Sequence, residues 1–206
     1  MTFSTRPTLS ILNPFIRTIW SYAEERKHRY EVLLPRVNGQ LLINLHGPEL
    51  SHMCETGLEF SAVGPIALQG VLTKRFVIDA EQKTAICGVE FEPGGHCAFT
   101  NWKATQFCDN IVDARDVWGR STFDLHHQLI ATADEQTQCD IMESFLLDRL
   151  IPRPFEDNLL EQWLTGLQTG SRISDLQARL GLSQRKLHAL FDRRIGVRPK
   201  LFEQIT

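Results

Sequence analysis

The chain has 206 residues, of which 42% are hydrophobic and 23% charged, close to an ordinary globular protein. That is enough apolar material for a sizeable core, which excludes wholesale disorder, and no apolar run approaches the ~18 residues of a membrane helix. The net charge of −3 hides an asymmetry: residues 1–170 hold 14 Lys and Arg against 22 Asp and Glu, a net −8, whereas residues 171–206 hold 8 against 3, a net +5. A basic end on an acidic body points towards a polyanion, although a basic surface can also pack on the body itself.

The opening MTFSTRPTLSILNPF lacks the apolar core of a signal peptide, so a cytoplasmic protein without membrane attachment is expected. Five cysteines, Cys54, Cys87, Cys97, Cys108 and Cys139, are an odd number with irregular spacing and no CxxC, so reduced thiols are expected.

From Arg17 to Phe91 the texture suits strands. Ile19–Tyr22, Tyr30–Leu34, Leu41–Leu45, Phe60–Val63, Leu72–Asp79 and Thr84–Phe91 are short and separated by turn chemistry. Asn38-Gly39 reads as a hairpin turn, because both residues tolerate positive φ. After Pro93-Gly94-Gly95 the period becomes helical. Helices are expected over Ser121–Ala131, over Asp134–Leu150 with Asp134 as N-cap, and over 155–168 with Gly170 as the stop. Ile151-Pro152-Arg153-Pro154 reads as a short linker between two units, residues 1–152 and 153–206.

Residues 171–202 carry the most information. Ser174 is placed to cap a short helix bearing Leu176 and Leu180. Gly181 sits where a tight turn needs positive φ. Ser183 can cap a second helix with Leu187, Leu190 and Phe191 on its buried face, Gly196 ends it, and Pro199 suits the first turn of another. This is helix–turn–helix chemistry. Gln184, Arg185, His188 and Ala189 share the face opposite the core and are the candidate base-facing residues. Arg185 could hold a guanine edge with two bonds. Ser183, Lys186, Arg193, Arg194, Arg198 and Lys200 are the candidate phosphate contacts, which position a protein but specify no sequence. Asp192 puts an acid on the groove-facing side, and Gln177 stands where such motifs usually carry a small residue.

The pattern LxxxLGLSxRxLxxLFxxxIGVxPKxF over Leu176–Phe202 resembles the first helix–turn–helix of the AraC-type transcriptional regulators. Leu34-Pro35 before Gly39, then LLINL, Gly64-Pro65, GVEFEPGG over Gly88–Gly95 and Asp116-Val117-Trp118-Gly119 resemble the sensor part of the same family. The resemblance covers roughly residues 10–203. It implies an α+β protein: an antiparallel, cupin-like β-barrel or sandwich with packed helices, then a small all-α helix–turn–helix domain. It implies a regulator that senses an effector, pairs as a homodimer and binds double-stranded DNA. By position, Arg185, His188 and Ala189 match the family's base-facing residues. Family members carry two helix–turn–helix units, and this chain stops at Thr206, so a form lacking the second unit and binding DNA weakly is the expectation. The sequence names no effector. The alternative is a ligand-sensing or oligomerisation module that acts through protein contacts.

Other constellations carry less. His52 and Cys54, with His46, Cys87 and Cys97, could form a thiolate–imidazole site, but the tight ligand pairs of zinc modules and the cupin HxH…E pattern are absent, so no metal is expected. Pro93-Gly94-Gly95-His96 could open a helix whose N–H groups hold an anion; a turn needing glycine for shape alone is the favoured reading. Trp102, Trp118 and Trp163 read as packing residues, and Trp20 as a candidate cavity wall. Adjacent His96 and Cys97 diverge on a helix, and no P-loop, GxSxG or paired carboxylates occur, so no enzyme is expected.

Overall fold

The computed structural model describes residues 2–25, 29–53, 60–79 and 83–206. Among these, ten strands come first: β1 Thr2–Thr5, β2 Ile16–Glu25, β3 Tyr30–Leu33, β4 Gln40–Asn44, β5 Leu50–Met53, β6 Phe60–Val63, β7 Ile66–Gln69, β8 Phe76–Asp79, β9 Lys83–Phe91 and β10 Ile111–Asp113. They form a six-stranded sheet, order β1-β2-β9-β4-β7-β10, and a four-stranded sheet, order β3-β8-β5-β6. Every pairing is antiparallel. Seven α-helices follow: α1 Ala114–Trp118, α2 Ser121–Ile130, α3 Glu135–Leu147, α4 Pro154–Gln168, α5 Ile173–Arg179, α6 Gln184–Arg194 and α7 Pro199–Ile205. The α+β class, β-rich first and helical after, is as the sequence implies.

Strand burial follows side-chain alternation where one face is wet. In β4, Leu41 and Ile43 point inward while their neighbours are half-buried. Strand β7 is buried throughout because both its faces are covered. Its Ile66 and Leu68 join the main core with Ile19, Leu41 and Val89, and its Ala67 joins a smaller core with Leu72, Phe76 and Ile111. Helices α2 and α3 close the main core with Leu125, Leu129, Met142 and Leu146. Asp134 caps α3 as expected, its Oδ2 accepting the Thr137 N–H at 2.7 Å. Further along α3, the buried carboxylate of Glu143 accepts from the Thr8 N–H and hydroxyl, both at 2.8 Å, and from the Leu9 N–H at 3.2 Å. That single side chain fastens the N-terminal segment to the helical layer.

Two local expectations are corrected. Asn38-Gly39 is a crossover, not a hairpin turn: β3 belongs to the four-stranded sheet and β4 to the six-stranded one. Gly39 is required for space, since a Cβ there would lie 2.9 Å from His96 Nδ1 and 3.0 Å from the Gln69 carbonyl. Asn38 instead spans to β9, donating from Nδ2 to the Phe91 carbonyl at 2.8 Å. The stretch Leu72–Asp79 is a strand only from Phe76 onward; Leu72 forms an isolated bridge with Arg36.

A further apolar cluster joins the β-rich body to the C-terminal helices. Val37 and Val71 from the body meet Leu160, Trp163, Leu176, Leu187, Phe191, Ile195, Val197 and Phe202. Trp163 and Phe191 meet edge to face at 4.7 Å, and Phe191 and Phe202 at 5.9 Å. Buried aromatic pairs of this kind add ~1 kcal/mol each beyond the area they cover. The linker is tied as well: Ile151 N–H donates to the Ala98 carbonyl at 2.8 Å, and the Arg153 guanidinium donates to the carbonyls of Cys97 at 2.6 Å and Thr100 at 3.0 Å.

Candidate nucleic-acid interface

The C-terminal site is built from α5, a turn and α6. Gly166 in α4 lets α5 approach closely, because a Cβ there would lie 2.1 Å from Leu176 Cδ2. Ser174 does not cap α5; that place falls to Arg172, and the Ser174 hydroxyl donates to the Asp175 carboxylate at 3.1 Å. The turn is as expected. Gly181 has φ 61°, a left-handed conformation that favours glycine. Ser183 then caps α6, its hydroxyl accepting the Lys186 N–H at 3.3 Å. Gly196, with φ 101°, ends the helix, and α7 begins at Pro199.

Helix α6 turns Leu187, Leu190, Phe191 and Arg194 inward. Gln184, Arg185, Lys186 and Ala189 are exposed, as is the capping Ser183, while His188 is partly exposed. The four candidate base-facing residues thus lie on the outward side of the helix. Lys200 is exposed on α7. Among the described residues no ion pair engages Arg185, Lys186 or Lys200.

The other cations are committed elsewhere. Arg194 is a correction to the phosphate set: it is 1% exposed, and its Nη1 lies 2.6 Å from Asp157 Oδ1, off-axis for a hydrogen bond. A guanidinium held there cannot reach a phosphate. Arg193 is exposed but pairs with Glu156, and Arg198 pairs with Asp192 at 3.4 Å. Glu156 and Asp157 lie in the first turn of α4, where the helix dipole also favours acids. Asp192, read as an intruding acid on the groove-facing side, thus has a cation of its own. The sequence signal that could have shown this is an acidic pair opening one helix and a basic pair closing another.

The Pro93-Gly94-Gly95-His96 segment resolves in favour of backbone shape. Gly94 is left-handed, with φ 78°, and a short 3-10 turn over Gly95–Phe99 follows, buried throughout. Its N–H groups are used internally: Gly95 donates to the Glu92 carbonyl at 2.7 Å. His96 is 1% exposed, and neither ring nitrogen has a hydrogen-bond partner. Burial, and then the nearby Arg194 charge, push its imidazole down to about 4. It is a neutral ring packed on Phe107 at 5.5 Å and Phe91 at 6.2 Å.

The remaining candidates are dispersed. His52 stacks on Phe76 at 5.4 Å, Cys87 and Cys97 are buried, and His46 is exposed. Cys54 lies outside the described residues. Cys87, Cys97, Cys108 and Cys139 are free thiols, and burial pushes Cys87 and Cys97 up to about 12. Among the described residues no three His, Cys, Asp or Glu gather as a metal site. Trp20 covers Gly88, where a Cβ would lie 2.9 Å from its ring, and Trp118 donates from Nε1 to the Phe99 carbonyl at 2.8 Å. No helix among the described residues is long and apolar enough to cross a membrane.

Comparison with solved structures gives apo ToxT from Vibrio cholerae a TM-score of 0.53 at 9% identity, over 91% of this chain and 79% of that one. A second Vibrio cholerae ToxT structure gives 0.48 at 8% identity, over the same 91% and 79%. The AraC-like transcriptional activator CuxR gives 0.28 at 10% identity, over 99% and 83%. No curated protein matches the sequence significantly. A family model described as "Domain of unknown function (DUF6597)" matches residues 5–113, just over half the chain, and its match ends on the last residue of β10. The chain therefore belongs to the DUF6597 family, and its fold is similar to that of ToxT.

Proposed function

We propose that this protein is an effector-responsive, DNA-binding transcriptional regulator. The observation that carries the reading is α6: capped by Ser183, entered through the left-handed Gly181, and presenting Gln184, Arg185, His188 and Ala189 away from the core. That is the geometry of a recognition helix in a helix–turn–helix. Residues 1–152 would form the sensing and pairing unit and residues 153–206 the DNA-binding unit. Arg185 is the residue best suited to reading a base, with Lys186 and Lys200 on phosphates.

The β-rich body and the C-terminal helices enclose a groove of about 600 Å³, lined in part by Arg36, Val37, Leu164, Leu167 and Phe202. An effector there would touch both units, which suits control of one by the other. A homodimer would double the few contacts one helix–turn–helix makes, and sedimentation at micromolar concentration tests it.

The deciding experiment is a fluorescence titration of the chain with labelled duplex at two salt concentrations. Salt-dependent binding that weakens in Arg185→Ala supports the reading. Absence of binding at low salt supports the second reading, a module acting through protein contacts. That reading has one observation in its favour: Arg193, Arg194 and Arg198 are all spent on the protein's own acids.

A further inference from the structure

Asp192 stands seven positions after Arg185 on α6, roughly two helical turns, so the two side chains lie on one side of the helix. The opposite, inward side is taken by Leu187, Leu190, Phe191 and Arg194. Between Arg185 and Asp192, on the same line, stands Ala189, four positions after the one and three before the other. The Asp192 side chain is 40% exposed, so the body does not cover it. Its Oδ1 lies 3.4 Å from Arg198 Nη1, and among the described residues no hydrogen bond engages either of its oxygens. Arg198 thus offsets the charge of the acid while leaving its acceptors unspent.

A carboxylate can only accept hydrogen bonds. On the major-groove edges, guanine shows two acceptors, thymine an acceptor and a methyl group, and adenine a donor beside an acceptor, whereas cytosine shows a donor, its N4 amino group. An acid facing those edges therefore favours cytosine and is repelled by guanine. Aspartate is short and needs a close approach to reach a base. Ala189 supplies it, because a lone methyl group on that line lets the helix backbone come near. We propose that Asp192 is a specificity-determining residue that reads the cytosine N4 amino group, while Arg185 reads a guanine. At about 1.5 Å of rise per residue the two lie about 10 Å apart along α6, which corresponds to roughly three base pairs for a helix lying along the groove. The inference rests on the DNA-binding reading of α6. It makes the acid on the groove-facing side a selector of sequence.

The test uses the full chain at low salt, with Asp192→Asn and Arg185→Ala beside it. Duplexes retained from a random-sequence pool are sequenced, and the enriched duplex is then titrated with each of the four base pairs at the cytosine position. Asp192→Asn keeps the size of a surface side chain, so it should fold, and a thermal melt confirms this. The unaltered chain should prefer cytosine there by about fivefold. Asp192→Asn should lose that preference and turn to adenine, whose N6 and N7 suit an amide. Arg185→Ala should lose the guanine and keep the cytosine. If Asp192→Asn tightens binding to every duplex alike and leaves the base preferences unchanged, the acid only repels phosphates; the inference fails and the DNA-binding reading stands. If the unaltered chain binds duplex but enriches no base, the inference fails in the same way. If it binds no duplex at low salt, the reading of α6 falls and this inference with it.

Discussion

Arg194 and Asp157 meet at 2.6 Å where the end of α6 crosses the start of α4, with the arginine almost wholly buried and the aspartate one-fifth exposed. Arg194 also lies near the buried His96, whose imidazole it helps to hold neutral. The pair is an inward anchor for α6. Removing the acid alone leaves an uncompensated buried cation, a defect that costs roughly 3 kcal/mol at sites of this kind. Asp157→Asn should therefore destabilise by about that much. Arg194→Met removes the charge, keeps an apolar stem and leaves an acid that water can reach, so its cost should be nearer ~1 kcal/mol. Urea melts of the two variants check the order; equal costs would show that the pair is not the anchor.

His96 makes stability depend on pH. Its folded pKa is pushed down to about 4, below the ordinary imidazole range. Between the two values the unfolded chain binds the extra proton, so stability should rise with pH through that window and be lost as pH falls towards 4. The full effect is about 3 kcal/mol. His52, also lowered by burial, acts in the same direction. His96→Phe should flatten most of the slope, whatever it does to absolute stability. The check is unfolding free energy at several pH values from neutral downward; an unchanged slope in the variant would refute the assignment.

Gly94 and Gly181 are both left-handed, yet they should respond differently to alanine. A Cβ on Gly181 meets nothing within 4 Å, so only the backbone conformation is penalised, by about 1–2 kcal/mol. A Cβ on Gly94 would also lie 2.7 Å from the Arg194 carbonyl and 2.8 Å from Leu160 Cδ2, and backbone atoms cannot step aside cheaply. Gly94→Ala should cost at least ~2 kcal/mol more, because the clash forces the body and α6 apart. Thermal melts of the two single variants compare them directly. Similar shifts would mean that the junction is loose.

Local chemistry made much of this molecule legible. The Gly181 turn, the Ser183 and Asp134 caps and the Gly170 and Gly196 stops are set by one or two residues each, and all stand as read. The strands that went unread lack a local signal. In β7, Ile66-Ala67-Leu68-Gln69 shows no alternation because both faces are covered, and β1 and β10 are short. Asn38-Gly39 carries hairpin chemistry but serves a crossover, since only the packing of His96 and Gln69 decides what fits there. The same limit applied to the site. The outward face of α6 follows from helical spacing, whereas the inward turn of Arg194 depends on an acid thirty-seven positions earlier in the chain. A run of basic residues cannot itself show which members are already neutralised.

That division among the cations sets the expected strength of DNA binding. Arg185, Lys186 and Lys200 are exposed and, among the described residues, free of ion pairs, while Arg193 and Arg198 must first leave acids of the same chain. Each phosphate neutralised contributes about 0.9 to the logarithmic salt slope, so the α6–α7 surface should give a slope of roughly −3 to −4 per protomer. Binding should fall in the non-specific range, about 10⁻⁴–10⁻⁶ M at physiological salt, because Ala189 offers no hydrogen bond to a base edge. The variants separate the roles. Lys186→Ala and Lys200→Ala should each flatten the slope by about 0.9. Arg194→Met should leave it unchanged, since a guanidinium already neutralised inside the protein releases no counterion from DNA. Folded fraction is measured alongside, so that lost stability is not read as lost affinity. A flattened slope in fully folded Arg194→Met would show that the side chain swings out to reach the phosphates, and that its pair with Asp157 is given up on DNA.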